Sequence, residues 1–390
     1  MNVMISNGTI LRPDGAVKAD LAIEDGRFAE AASSKATVID AEGLIALPGI
    51  VDIHGDGFER HLMPRPGVRF DVALALRDTD RQLVANGITT AFHGVTVSWE
   101  PGLRSVEAAA EVIEAIGDMR DRLACDTRLH IRWETFALDQ LPRVLEWLGM
   151  EPRPIIALND HTTGSVLKGT IARKLPQMAE RSSLSQDAYR ALLDAVWARR
   201  GDVPEAIQAV ARAAAEGGNV LLAHDEASPE ERLRFRALGA RSSEFPLTLD
   251  TAAEARRQGE HVILGAPNVV RGGSHNGALN ATDAIRAGLC TCLASDYHYP
   301  SPLHAAFKLA GTDLAQLVDA WKLVSTNPAA AAGLDDRGTI APGKRADLLL
   351  VDASRADHPE IVATFSGGRL VHATRALHLA PASVATSVAA

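Results

Sequence analysis

Short stretches in which apolar and polar residues alternate open the chain. MISNGTILRP, ADLAIEDGRFAE and ATVIDAEGLIALPG are punctuated by Asn-Gly and Asp-Gly turns, one of them at Asp14-Gly15. A period of two places every second side chain on one face, which predicts short strands joined as a meander. The same texture returns in RGTIAPGKRADLLLVD and ATFSGGRLVHA near the other end. Residues 1–48 and 338–378 are therefore expected to form one discontinuous β-sandwich domain, with residues 49–337 inserted between its halves.

The insert has a different rhythm. Eight apolar runs read as strands: GIVDIH (49–54), ITTAFHG (88–94), RLHIRWE (128–134), IIALND (155–160), NVLLAHD (219–225), SSEFPLT (242–248), HVILGAP (261–267) and LCTCLASD (289–296). Amphipathic stretches such as FDVALALRDTDRQLVANG, SVEAAAEVIEAIGDMRDRLA and PEAIQAVARAAAEGG lie between them. Strands alternating with helices predict a parallel sheet covered on both faces, and eight such units predict an α/β fold of the (β/α)8, TIM-like barrel type. Residues 379–390 are small and uncharged, and are expected to be a loosely ordered tail.

Composition narrows the function classes. The 390 residues are 46% hydrophobic and 23% charged, as in an ordinary globular protein, and no apolar run is long enough to span a bilayer. A net charge of -9 argues against nucleic acid and acidic membranes as partners, though a local arginine cluster can still receive an anionic small molecule. The three cysteines, Cys125, Cys290 and Cys292, are too few for a disulfide framework and suit a reducing cytoplasm. Cys290 and Cys292 are read as small buried strand residues. MNVMISNGTILRPDG lacks the basic and apolar regions of a signal peptide.

The chemistry gathers at strand ends. The first strand ends in His54-Gly55-Asp56, the third in Glu134, the fourth in Asp160-His161, the fifth in His224-Asp225 and the eighth in Ser295-Asp296. The C-terminal strand ends of such a barrel form its active face, so these residues would meet in one cavity. A single histidine there is more often structural, and a single Asp more often caps a helix. Together, imidazoles and carboxylates from five ends suit hard or borderline divalent ions such as zinc, manganese or iron. His54 and Asp56 would give one ion two ligands, Glu134 would bridge two ions, and His161 and His224 would complete the second site. Asp296 would bind the first ion and take a proton from bound water. His130 is expected to pack in the wall, while His93 is left equally open between wall and cavity.

These residues carry a family resemblance. LPGIVDIHGD is similar to the first-strand signature of the amidohydrolase superfamily, and NPAAAAGLDDRGTIAPGKRADLLLVD to its exit from the barrel. HGDGFERHLMPRPGVRFD, HIRWETF, LNDHTTG, AHDEAS, EFPLTLDTA, GAPNVVRGGSHNG and LASDYHYPSPL further resemble the PhnM family of carbon–phosphorus lyase pathways. That resemblance implies hydrolysis of α-D-ribose 1-methylphosphonate 5-triphosphate, with pyrophosphate released. It also implies that His54, Asp56, Glu134, His161, His224 and Asp296 occupy metal positions, and that chains pair as homodimers. The superfamily pattern puts the bridging residue on the fourth strand and the histidines on the fifth and sixth. The strands read here place them one earlier, so the expectation is that one strand was missed or two merged. Thr163-Gly164-Ser165-Val166-Leu167-Lys168 and Asp225-Glu226-Ala227 depart from the family's loops.

A triphosphate would need cations for its oxygens. Arg65 and Arg69 in the PRPGVR stretch, Arg271 before Gly272-Gly273-Ser274, His275 and Lys168 are the candidates, with a surface ion pair as the plain alternative for any of the arginines. Two other functions share the metal shell: cleavage of a C–N bond, as in an N-acetyl-sugar-phosphate deacetylase, and a non-catalytic ligand-binding or assembly role in phosphonate use. Few arginines and one ion would favour the deacetylase.

Overall fold

The computed structural model describes residues 2–65, 67–167, 171–273, 279–311, 313–355, 357–374 and 379–381. Eight parallel strands follow one another in chain order: Ile50–Gly55, Ile88–Val97, Asp126–Glu134, Ile155–Asn159, Leu221–His224, Ser242–Glu244, His261–Gly265 and Cys292–Ala294. All eight runs read from the sequence are there, and among the described residues no barrel strand was missed or merged. Their residues are buried almost throughout, because the barrel interior covers one face and the helices cover the other. Helices start where a polar cap precedes an amphipathic stretch: Asp71 accepts from Leu74 N, and Ser105 from Ala108 N. Three additional helices, His161–Leu167, Ile171–Arg181 and Gln186–Ala198, stand between the fourth strand and Val203–Gly217 and build a wall over one side of the barrel mouth.

The termini meet as expected. One sheet orders Leu379–Pro381, Thr37–Asp40, Val3–Ser6, Leu21–Glu24 and Arg27–Ala29; the other orders Arg369–Ala373, Glu360–Ser366, Leu348–Asp352, Ile45–Pro48, Thr9–Arg12 and Gly15–Lys18. Side chains of both, Ile5, Ile23, Ile39, Leu348, Leu350 and Phe365 among them, share one core. Leu348 pairs antiparallel with Pro48, which stitches the two chain ends together just before the barrel begins. Leu379–Pro381 pair with Thr37–Asp40, so the first residues of the expected tail are a strand; residues 382–390 lie outside the described residues. Cys290 and Cys292 are buried free thiols, as read, though only Cys292 lies in the strand, and burial pushes the Cys292 thiol up to about 12.

The barrel closes where its chemistry lies. The first and eighth strands touch through a single bridge between Gly55 and Asp296. Asp296 N donates to the His54 carbonyl and Asp56 N to the Asp296 carbonyl, each at 2.9 Å. Below that bridge the fully buried Asp52 accepts from Ser295 N at 2.9 Å and from Ser295 Oγ at 2.5 Å. Gly55 has to be glycine, since a Cβ there would lie 2.7 Å from Asp52 Oδ2 and 3.1 Å from Ser295 Oγ. Replacing Asp52 with Ala strands two buried donors, so Asp52→Ala is expected to lose about 2 to 4 kcal/mol of stability in urea unfolding. Asp52→Asn, which keeps one acceptor, is expected to lose less, and equal losses would rule out this reading of the seam.

Candidate metal centre

Four strand ends place their side chains through a local departure from regular strand. Asp225, Phe245 and Asp296, which follow the fifth, sixth and eighth strands, all have left-handed backbones, with φ of 57°, 52° and 55°. A side chain with a Cβ adopts that conformation at a cost, and a bulky Phe more so, so the surrounding structure imposes it. The first strand carries a register shift between Asp52 and Gly55. These turns bring residues from both ends of the insert into two groups of three ligands.

The first group is His54, Asp56 and Asp296, and the second is His161, His224 and Asp225; within each, the ligand atoms lie within 4.8 Å of one another. Imidazole nitrogen and carboxylate oxygen at that spacing fit a divalent ion. A third cluster, His54, His130 and Glu244, explains how the imidazoles are aimed. Glu244 is fully buried at the end of the sixth strand and accepts from His54 Nδ1 and His224 Nδ1, both at 2.8 Å. Each Nε2 is thereby left with its lone pair turned toward the cavity. Burial alone would raise the Glu244 carboxyl, but the neighbouring imidazoles and their N–H donors hold it well below the usual carboxylate range. Burial pulls His54 down to about 3, with Glu244 opposing, so that imidazole is neutral. The Phe245 ring stands edge-on to both histidines, with centroids 4.9 and 5.4 Å away, and fixes their planes from the side.

Asp296 differs from its partners in the first group. Its carboxylate accepts from no described side chain, and burial, with the charge of Asp56 beside it, pushes it up to about 7. Asp225 instead lies 3.3 Å from His161 Nε2. Although burial opposes it, the positive partners around Asp225 bring its carboxyl far below the ordinary value.

Three residues of the third strand point into the barrel, two apart, at successive depths. His130 is the deepest, with Nδ1 2.9 Å from the Ile53 carbonyl oxygen. Arg132 lies above it, donating to Asp56 Oδ2 at 3.4 Å and to His224 Nε2 at 3.3 Å. Glu134 is uppermost and is held by His161, whose Nδ1 and backbone N–H both face it. Glu134 is thus paired with one histidine and belongs to neither three-ligand group. Burial would raise its carboxyl, yet His161 draws it down to about 2, while Glu134 lifts His161 to about 10. Gly94 makes room for this column: a Cβ there would sit 3.1 Å from Arg132 Cδ and 3.8 Å from His54 Nε2. Beside Glu134 and His161 opens a cavity of about 250 Å³, lined also by Thr96, Trp99, Arg181 and Tyr189. Its polar wall is Glu100, which accepts from both Tyr189 Oη and Arg181.

Of the residues singled out in the sequence, His54, Asp56, His161, His224 and Asp296 come together in the two groups. Arg271 is exposed at the rim, 3.4 Å from Tyr297 Oη, next to Asp296. Arg65 is exposed on a turn closed by its bridge to Val68, and Arg69 pairs with Glu111 at 2.6 Å. His275 and Lys168 lie outside the described residues. His93 turns to the helix side and packs edge-on against Phe58. Glu244 and Arg132 were not singled out. Both had a signal: Glu244 is an acid at a strand end, and Arg132 shares the parity of Glu134.

The model of the Amidohydrolase family matches residues 192–372. The chain is 33% identical over 370 residues to the alpha-D-ribose 1-methylphosphonate 5-triphosphate diphosphatase of Escherichia coli K12, covering 91% of this chain and 96% of that one. Among solved structures, an amidohydrolase from a Sargasso Sea environmental sample superposes with a TM-score of 0.63 at 16% identity, over 96% of this chain and 93% of that one. N-acetylglucosamine-6-phosphate deacetylase from Pasteurella multocida gives 0.62 at 11% identity, over 95% and 99%, which speaks for the fold alone.

The role of Glu244 is open to measurement. In Glu244→Gln the amide keeps one acceptor for two imidazole N–H groups, so one histidine loses its orientation. Zinc affinity, measured by chelator competition, is expected to fall about 10- to 100-fold. Unchanged affinity in a folded variant would show that Glu244 does not orient the ligands.

Proposed function

The chain belongs to the amidohydrolase superfamily and, within it, to the PhnM family, and from that premise we propose that it hydrolyses a phosphate anhydride. It is a hydrolase; the finer reading is release of pyrophosphate from α-D-ribose 1-methylphosphonate 5-triphosphate, leaving the 5-phosphate. The observation that carries this reading is the relation to the Escherichia coli diphosphatase along 96% of that enzyme's length. Two guanidiniums accord with it: Arg132 sits among the ligands beside Asp56, and Arg181 lines the adjoining cavity beside Glu100.

His54, Asp56 and Asp296 on one side, and His161, His224 and Asp225 on the other, are the residues that would hold divalent zinc, manganese or iron. Such an ion lowers the pKa of water toward neutrality and draws charge from phosphoryl oxygens. Asp296 is the residue to take the proton of the attacking water, since its carboxylate faces the site and accepts from no described side-chain donor. The forked guanidinium of Arg132 would donate to phosphoryl oxygens, and Arg271 at the rim would meet the far end of a long anion. Glu244 takes no part in proton transfer and keeps the two imidazoles aimed.

The same reading makes the ligand a small phosphorylated molecule, not nucleic acid or membrane, in keeping with a net charge of -9. No helix among the described residues is long and apolar enough to cross a membrane; the cytoplasm and a homodimer belong to this reading through the family relation alone.

Metal-loaded protein incubated with ribose 1-methylphosphonate 5-triphosphate is expected to release pyrophosphate, with nucleoside triphosphates and N-acetyl sugar phosphates as competing substrates. Acetate released from an N-acetyl sugar phosphate without any pyrophosphate would move the assignment to amide cleavage. Asp296→Asn is expected to lower kcat by at least about 100-fold, the scale of a general base. Retained turnover would remove Asp296 from that role.

A further inference from the structure

Arg132 lies where the two ligand groups meet. Its guanidinium reaches one acceptor of each: Asp56 Oδ2 at 3.4 Å and His224 Nε2 at 3.3 Å. For His224 this is decisive, because Nδ1 is already committed to Glu244 and Nε2 is its one remaining ligand atom. An ion on that lone pair would stand about 2.1 Å from the nitrogen, overlapping the arginine nitrogen on the same line. The arginine has no easy way out. It is 5% exposed, rises from the middle of a central barrel strand, and its stem fills the space left by Gly94. A guanidinium is a cation, so a second cation beside it would be repelled.

The remaining members of the two groups are unequal. In the second, His161 is engaged at both nitrogens, by Glu134 and by Asp225 at 3.3 Å, while His224 faces Arg132. In the first, His54 Nε2 and the Asp296 carboxylate face no described side-chain partner. A divalent ion therefore meets open ligands only there.

We propose that Arg132 takes the place of a second metal ion, so that the centre holds one divalent ion, on His54, Asp56 and Asp296. This replaces the expectation of two ions and rests on reading the strand ends as a metal centre. The arginine then supplies, as a fixed guanidinium, the second positive charge that a binuclear site would draw from solution, so a single ion here does not favour the deacetylase over a phosphate-cleaving enzyme.

The test is to load the full-length protein with excess Mn2+, remove free ion by gel filtration, and count manganese per chain by plasma mass spectrometry alongside its electron paramagnetic resonance. One ion per chain with an uncoupled six-line spectrum is expected for the unaltered protein and for Arg132→Lys. Arg132→Met is expected to take up two ions with exchange-coupled lines. His54→Ala is expected to lose the ion and His161→Ala to keep it. Two ions in the unaltered protein would overturn the proposal, and that count needs no variant to fold. One ion in folded Arg132→Met would show that the arginine displaces nothing, and loss in His161→Ala but not His54→Ala would misplace the ion. No bound ion under any loading would instead overturn the metal reading itself.

Discussion

Glu244 is a carboxylate wholly buried from solvent, and the arrangement of the centre follows from how its charge is compensated. A lone carboxylate in such a place would take up a proton. Here two imidazole N–H groups at 2.8 Å keep it ionised, while His130, whose Nδ1 donates to the Ile53 carbonyl, stands behind with Nε2 3.8 Å away. In return the carboxylate selects the tautomer of both His54 and His224 and turns each Nε2 to the cavity. The two rings stack with centroids 5.6 Å apart and planes 12° from parallel, so histidines brought from strand ends 170 residues apart in sequence act as one rigid pair.

That rigidity depends on the barrel closing at the same level. The first and eighth strands share little ladder and are locked by Asp52 with Ser295 and by the paired backbone of His54, Asp56 and Asp296. The bonds that seal the barrel are made by the ligand residues themselves. Strain is concentrated there too, since Asp225, Phe245 and Asp296 hold left-handed backbones at three ends facing one cavity. A strand that simply continued would carry these side chains past the cavity. The turn aims each of them inward, and burial of the barrel around them offsets its cost.

Arg132 gives the centre its asymmetry. One side of the cavity is a chain of satisfied pairs running from Asp225 through His161 to Glu134. The other is under-compensated, with Asp56 and Asp296 side by side. A fixed cation between the two sides sets which one lacks positive charge, and so where an ion and an anionic substrate find their partners. Gly94 belongs to this device, since any side chain there would push the arginine off its position.

Much of this was legible in the order of residues. Period-two alternation at both termini and eight apolar runs between amphipathic helices marked the sandwich and the barrel, and the polar residues ending five runs marked the active face. Those are local properties, because whether a residue is apolar and how often it recurs decides which face it can bury. Glu244 escaped because the apolar stretch Phe245-Pro246-Leu247 extends its run, and nothing local says that the chain turns left-handed at Phe245. The parity of His130, Arg132 and Glu134 predicts that they share a face. It does not predict that Arg132 ends between Asp56 and His224, or that Glu134 meets His161 alone. Those contacts join residues far apart in the chain, and their geometry depends on the register of all eight strands and on the bridge that closes them. Sequence determined which residues could meet; only the closed barrel decided which atoms did.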